Sequence, residues 1–528
     1  MITNPILPGF HPDPSICRVD DDYYIATSTF QWWPGVRFHH SRDLRSWEPI
    51  GYALTRQSQL DMLGDEDNGG VWAPCLSYSD GLFYLIYTDV KTWTGAYKDA
   101  HNYLVTAPRI DGPWSDPVYL NSSGFDPSLF HDDDGRKWLV NMQWDHRPRH
   151  NRFSGILLQE YDTGAKKLVG PITNIFKGTA HGLVEGPHLY KKDEYYYLVT
   201  AEGGTTWEHV ATVARSGNIE GPYEVMPDNP LITSKYDITL PLQRAGHGSL
   251  VQTQHGEWYF VHLTGRPVMP ERRCTLGRET AIQAIRWDDT GWPRLAHGGM
   301  TPAIAVAPPS GLALHPFPID AKTENHFDDF EQEVLNFELN TLRVPPEPSW
   351  LTLSERPGHL RLYGRESLFS KHRQSLVARR ITQFEVSAST VVEFYPDSFQ
   401  QMAGLIFYYD TIDHHYLFVS CNEHGRCLGI LTSEAGNNVA YPGVNVQLGP
   451  GPVYLKGEMR YGDLQFYYTQ EKENWKTIGP LLDATVLSDE YKVEVKFTGA
   501  FAGVCVQDLT GRKRFADFDW FRMEAIPK

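Results

Sequence analysis

Long apolar runs are missing from this 528-residue chain, and no basic segment followed by an apolar stretch comes after Met1. Nothing in it is long and apolar enough to span a bilayer, so a soluble protein retained in the cytoplasm is expected, with no membrane partner. Positive charge is also scarce: 48 Lys and Arg stand against 65 Asp and Glu, a net charge of −17. Binding a phosphate backbone requires concentrated positive charge, so nucleic acid is not an expected partner. The six cysteines are scattered, without the dense pairing of a secreted scaffold, and free thiols are expected. Cys421, His424 and Cys427 lie close together, but not at the spacing of a zinc knuckle, and no second ligand pair follows. They read as a loop cluster. Asn121-Ser122-Ser123 matches a glycosylation sequon by pattern only. Helix-period stretches are few and short.

Aromatic residues are plentiful: 15 Trp, 28 Tyr and 25 Phe. Such richness fits an all-β protein, mostly as core, and also suits platforms for sugar faces. Five times in the first half a tight turn, usually built on proline, precedes an aromatic-aliphatic strand. The turns are His11-Pro12-Asp13-Pro14-Ser15, Trp72-Ala73-Pro74-Cys75-Leu76, Phe125-Asp126-Pro127-Ser128-Leu129, Glu185-Gly186-Pro187-His188-Leu189 and Gly246-His247-Gly248-Ser249-Leu250. The following strands centre on Tyr24, Tyr84, Trp138, Tyr197 and Tyr259, successive centres lying 60, 54, 59 and 62 residues apart. Hairpin signals such as Asp80-Gly81 and Asp134-Gly135 recur within the repeats. A long-period repeat of short strands predicts a closed array, here a five-bladed β-propeller over residues 1–305. A Pro/Ala-rich linker over 306–323 follows. From 324 to 528, alternating runs such as Ser387-Ala388-Ser389-Thr390-Val391-Val392 and Tyr491-Lys492-Val493-Glu494-Val495-Lys496 predict a second, β-sandwich domain.

In a propeller, equivalent positions of successive blades converge near the axis. The five turns therefore bring Asp13, Trp72, Asp126, Glu185 and His247 to one funnel. Each has a bland reading: Asp-Pro as a strand cap, Glu before Gly-Pro as a solvated loop residue, Trp72 as core, His247 as a hydrogen-bonded structural histidine. Their joint occurrence at matching places favours a site. Glycoside hydrolysis uses two carboxyl groups across the scissile bond, and grouping carboxylates raises the pKa of at least one. Glu185, with the longest reach and with Val184 and Pro187 beside it, is the candidate general acid. Arg278, in Leu276-Gly277-Arg278-Glu279-Thr280, either meets sugar hydroxyls, holds a carboxylate ionised, or forms a surface ion pair with Glu279 or another acid.

His11 to Ser15, Gly70-Val71-Trp72-Ala73-Pro74, Phe125 to Ser128, Val184-Glu185-Gly186-Pro187 and Leu276 to Thr280 resemble the motifs of glycoside hydrolase family 43, in order and spacing. With Phe497-Thr498-Gly499-Ala500-Phe501, the resemblance extends to the two-domain β-xylosidases of that family and to a concanavalin-like sandwich. It implies an inverting exo-hydrolase acting on xylo-oligosaccharides, with arabinosides as alternative substrates. Asp13 is then the general base, Glu185 the general acid, and Asp126 the group that orients the acid and tunes its pKa. Phe30, Trp72, Trp144, His247 and Arg278 would bind the terminal sugar, with Phe501 reaching in from the sandwich. The resemblance also implies a dimer or tetramer. No cofactor is required, although some members place a divalent cation near the channel histidine, here His247. A retaining fructosidase is disfavoured by Pro12-Asp13-Pro14-Ser15 and by Gly186 after Glu185. A non-catalytic carbohydrate-binding propeller is disfavoured by the three intact carboxylates.

Overall fold

The computed structural model describes residues 1–312, 325–441, 444–492 and 495–527. The expected linker over 306–323 therefore falls mostly outside the described residues. Among the described residues the chain is almost entirely β, the one helical element being the short 3-10 turn Ala484–Val486. Five antiparallel sheets follow one another along the first part, each beginning on its innermost strand: Ser15–Val19, Gly70–Ser79, Ser128–His131, Glu185–Lys192 and Gln243–Gln252. The second strand of each sheet carries the aromatic centre named above, as Asp22–Thr27 carries Tyr24 and Trp258–Gly265 carries Tyr259. The ring is closed by the N-terminal segment. Ile2–Thr3 pairs with Ala305–Val306, Leu7 bridges Thr280, and the Asn4 side chain bonds Ile282 and Ala303.

Hydrogen bonds stitch neighbouring blades near the axis. Ser15 Oγ accepts from Leu76 N at 3.0 Å, His131 Nε2 meets Ser77 Oγ at 2.9 Å, and Ser128 Oγ donates to Pro187 O at 2.6 Å. Leu250 N donates to Tyr190 Oη at 2.8 Å, and Ile16 N donates to Ser249 Oγ at 2.9 Å, which completes the circuit. All but the His131–Ser77 bond satisfy backbone groups that would otherwise be orphaned where inner strands approach each other.

The second part is a two-sheet sandwich. In one sheet the order runs from Asn437–Ala440 through Gly425–Glu434, His414–Asn422, Gln401–Tyr408, Phe501–Asp508, Ser375–Arg380 and Asn340–Leu342 to Trp32–Trp33. Its edge strand, Trp32–Trp33, is therefore supplied by the first blade. Both faces of this sheet are buried, and the two-residue period of a strand explains how. Leu405, Phe407 and Val377 point into the core between the sandwich sheets. Their neighbours Ile406, Tyr408, Leu376 and Ala378 pack in a second core with Phe10, Phe30 and Trp32 of the propeller.

One expected strand is absent. Residues 491–492 and 495–500 carry no strand, and Val493 and Glu494 lie outside the described residues. The alternation there reads as a half-exposed strand, but Lys496 is buried, paired with Asp410 Oδ2 at 2.9 Å and with Asp413. Residues 495–500 instead form a loop laid across the propeller. Gly277 (φ +72°) makes room for it: a Cβ there would lie 1.8 Å from Thr498 O.

Candidate active site

The inner strands reach the funnel through one repeated distortion. Asp13, Ala73, Asp126, Gly186 and His247 all have positive φ, and regular pairing of the strand begins two residues after each of the first four and one residue after His247. In the second, fourth and fifth blades this is a bulge within the strand, with the register shifting between Trp72 and Cys75, Glu185 and His188, and Gly246 and Gly248. This corrects the expected equivalence of the five residues. Asp13, Asp126 and His247 occupy matching places, whereas Trp72 and Glu185 stand one residue earlier, opposite Thr88 and Ala201. A bulge re-aims side chains, so the larger Trp and Glu still reach the funnel. Gly186 is demanded twice over, by its φ of +57° and because a Cβ would lie 3.0 Å from the His247 ring.

The funnel opens into a pocket of about 270 Å³ lined by Asp13, Phe30, Trp72, Asp126, Trp144, Glu185, His247 and Arg278. Eight of the nine residues expected in the site thus line one cavity. Asp13 is held tightly. Arg278 donates from Nη1 to its Oδ1 at 2.9 Å and from Nη2 to its Oδ2 at 3.4 Å, and Ser28 Oγ donates to Oδ2 at 2.7 Å. Ser28 Oγ in turn accepts from Ala73 N at 2.8 Å, which ties the first blade to the second. Of the readings open for Arg278, the structure selects the carboxylate clamp, while Glu279 pairs with Arg266. His247 Nδ1 lies 3.6 Å from Asp13 Oδ1. Asp126 Oδ2 accepts from Gly186 N at 3.0 Å, so the third blade's carboxyl grips the backbone beside Glu185.

The three carboxyls are not alike electrostatically. Burial, then the Asp126 and Asp13 charges, push the Glu185 carboxyl well above the ordinary range, against the opposing pull of Arg278 and Lys98. Burial and Asp13 push Asp126 up to about 8, offset in part by the Gly186 N–H and Arg278. Burial also lowers the His247 imidazole, opposed by Asp13 and assisted by Arg278, so the ring is mainly neutral near pH 7. The cluster therefore keeps proton-bearing carboxyl groups beside Asp13, which a guanidinium clamps.

Phe501 requires a correction. It is 0% exposed, stacks on Trp32 at 3.8 Å and 16°, meets Phe10 edge-on at 5.8 Å, and does not line the pocket. Its strand, paired with Tyr408 and Arg380, aims the ring at the domain junction. From the sandwich, Val495 and, four positions before Phe501 in the crossing loop, Phe497 line the pocket. The Phe497 ring lies 6.0 Å from Phe30, 5.4 Å from Trp72 and 4.9 Å from Trp93. Asn68 Oδ1 accepts from Phe497 N at 2.8 Å, and Phe497 O accepts from Arg278 Nη2 at 3.1 Å, so the base clamp and the sandwich loop share one guanidinium. Trp93, Lys98, Phe125, Phe153, Leu183, Gly204, Thr205 and Val495 complete the wall and were not expected in the site from the sequence. Most lie outside the repeated turns, where no periodic signal marks them. Phe497 stood in the motif already quoted, but its loop had no readable register.

Comparison with known proteins agrees with this arrangement. The family model for Glycosyl hydrolases family 43 matches residues 2–293, and that for the Beta xylosidase C-terminal Concanavalin A-like domain matches 327–524. Xylosidase/arabinosidase 43B of Humicola insolens is 52% identical over 530 residues, covering 98% of this chain and 97% of the relative. Beta-xylosidase of Bacillus subtilis (strain 168) is 50% identical over 534 residues, covering 99% of each. The crystal structure of xylan beta-1,4-xylosidase from Bacillus halodurans C-125 matches with a TM-score of 0.97 at 58% identity, covering 99% of this chain and 100% of that one. The fold, the site and these matches together establish that the chain belongs to glycosyl hydrolase family 43.

Proposed function

We propose that this glycoside hydrolase is an inverting, exo-acting β-xylosidase that releases D-xylose from the non-reducing ends of β-1,4-xylo-oligosaccharides. The observation that carries the reading is the division of labour in one small, partly closed pocket: Asp13 clamped by Arg278, and Glu185 and Asp126 biased toward the protonated form. At about 270 Å³ the cavity lies near the lower end of the roughly 300–1,000 Å³ usual for ligand pockets, which suits a chain end rather than a chain interior. The loop carrying Phe497 shuts one side of it.

In this mechanism Glu185 gives its proton to the glycosidic oxygen as the C1–O bond breaks. A water held by Asp13 attacks C1 from the opposite face and loses its proton to Asp13. The product is α-xylose and a shortened oligosaccharide. Asp126, bonded to Gly186 N, orients the backbone that presents Glu185 and raises its affinity for the proton. Arg278 and His247 bracket Asp13 and hold it in place for the water. Phe30, Trp72, Trp144 and Phe497 give flat apolar faces to the ring.

An α-L-arabinofuranosidase activity accompanies the main one in this reading, since a relative 52% identical bears both activities in its name. Rates on the two nitrophenyl glycosides rank them. A cytoplasmic homo-oligomer, dimer or tetramer, belongs to the same proposal, in keeping with six unpaired cysteines; light scattering tests the assembly. The decisive experiment is a product-resolved digest of xylotriose. Xylose and xylobiose appearing together at first, with xylose alone at the end, support exo-action, and broad internal cleavage of xylan refutes it. For Glu185→Ala, aryl xylosides with good leaving groups should keep much more activity than xylobiose, because they need less protonation.

A further inference from the structure

The wall opposite the carboxylates carries charge of the other sign. Residues 146–152 read His-Arg-Pro-Arg-His-Asn-Arg, three arginines and two histidines without an acid, in a chain of net charge −17. Asp145 separates this segment from Trp144, and it leads into Phe153; Trp144 and Phe153 both line the pocket. Lys98, also in the lining, places Nζ 4.3 Å from the centre of the Trp144 ring, and Arg152 places its guanidinium carbon 5.8 Å from it.

These two cations are not held in ion pairs among the described residues. Lys98 Nζ donates to Trp93 O at 2.7 Å. The nearby acid, Asp145, is already spoken for: Arg147 bonds it twice, at 2.9 and 2.6 Å, with His150 at 3.5 Å. Burial and the Arg152 charge lower the Lys98 ammonium to about 8, against the opposing pull of Glu185 and Glu66. Beyond them Tyr97, 69% exposed, stacks on His146 at 4.6 Å, and Trp144 Nε1 bonds Ala96 O at 2.9 Å. The aromatic wall therefore continues outward past the pocket.

We propose that Lys98 and Arg152 form a receptor for a carboxylate carried by the leaving part of the substrate, so that xylo-oligosaccharides bearing a uronic acid branch on a non-terminal xylose are preferred. The inference rests on the xylosidase reading above. An acidic group at the pocket floor would face Asp13, Asp126 and Glu185 and be repelled, so the anion belongs on the leaving side, with Glu185 between. A guanidinium and an ammonium together match a carboxylate, and in a strongly acidic protein a local cationic site is what lets an anion approach.

The test compares xylotriose bearing a glucuronyl group on a non-terminal xylose with the same compound after reduction of its carboxyl to an alcohol. For the unaltered enzyme, kcat/KM should favour the acid by about five- to tenfold, the scale of a partly exposed charge-assisted contact. The preference should fall below about twofold in roughly 0.5 M NaCl. It should be lost in Arg152→Gln and Lys98→Gln and retained in Lys98→Arg. Calorimetric binding of the same pair to Glu185→Gln protein should show the same ratio without turnover. A ratio at or below one in both measurements, or one indifferent to salt and to these substitutions, overturns the receptor. Release of xylose from neutral xylobiose reports separately on the xylosidase reading.

Discussion

Replacing Asp126 by Asn should make the protein more stable and far less active, and the gain should depend on pH in a defined way. The Asp126 carboxyl is buried and pushed up to about 8 from its ordinary 3.8, mainly by burial and then by Asp13. Below about pH 4 the group is protonated in both folded and unfolded chains and costs nothing. As pH rises from about 4 to 8, the unfolded chain ionises freely while the folded one does not, so the folded state is progressively disfavoured; above about 8 the penalty levels off. At pH 7 the interval is roughly three pKa units, and at 1.36 kcal/mol per unit the penalty is about 4 kcal/mol. The Asn amide keeps an oxygen for the Gly186 N–H but adds an NH2 group that needs a partner, at about 1 kcal/mol. The net gain is about 3 kcal/mol, or about 3–6 °C in Tm for a protein of this size. Thermal melts of both proteins from pH 4 to 8.5 test it. The Tm difference should be near zero at pH 4 and largest near pH 8. Xylobiose hydrolysis should fall by about 100-fold or more. With the Asp126 charge gone, Glu185 loses a like-charged neighbour, and the basic limb of the residual rate profile should move to lower pH. A Tm difference that is absent, reversed or independent of pH would refute the reasoning.

Phe497→Ala and Phe501→Ala should separate two roles that four residues of sequence distance conceal. The first should cut kcat/KM on xylobiose by about tenfold or more with a modest change in Tm, since the Phe497 ring lines the pocket. The second should cost about 3–5 kcal/mol in a denaturant melt, because the Phe501 ring is wholly enclosed at the domain junction. Arg244→Met removes the partner of Asp489, held at 2.7 Å with both side chains 1% exposed, and should cost about 3–5 kcal/mol by the same melt. Asp489 also accepts from Tyr409, whose hydroxyl accepts from Thr498 N, so KM for xylobiose should rise as the Phe497 loop loosens.

Much of this was legible because the repeat carries its own ruler. A turn residue followed at a near-constant interval by an aromatic strand locates the inner strands without knowledge of the rest, and eight of nine expected residues meet in one pocket. The offset of Trp72 and Glu185 was not legible, since an Asp-Pro turn and a bulge before Gly-Pro or Ala-Pro look alike in sequence. The sandwich side was read less well for a related reason. Alternation over 491–496 resembles a strand only if Lys496 faces water, and nothing in the local sequence reveals the buried carboxylates of Asp410 and Asp413 that hold it. Trp32–Trp33 joining the sandwich sheet is likewise a product of domain docking, with its partner strand Asn340–Leu342 some three hundred residues away.

The stereochemistry of the first product tests the central claim most directly. Proton NMR of the initial xylose released from xylobiose, recorded before mutarotation, should show the α anomer, because Asp13 directs water to the face opposite the leaving group. Initial release of β-xylose would contradict the assignment of Asp13 as base and require a covalent intermediate in its place.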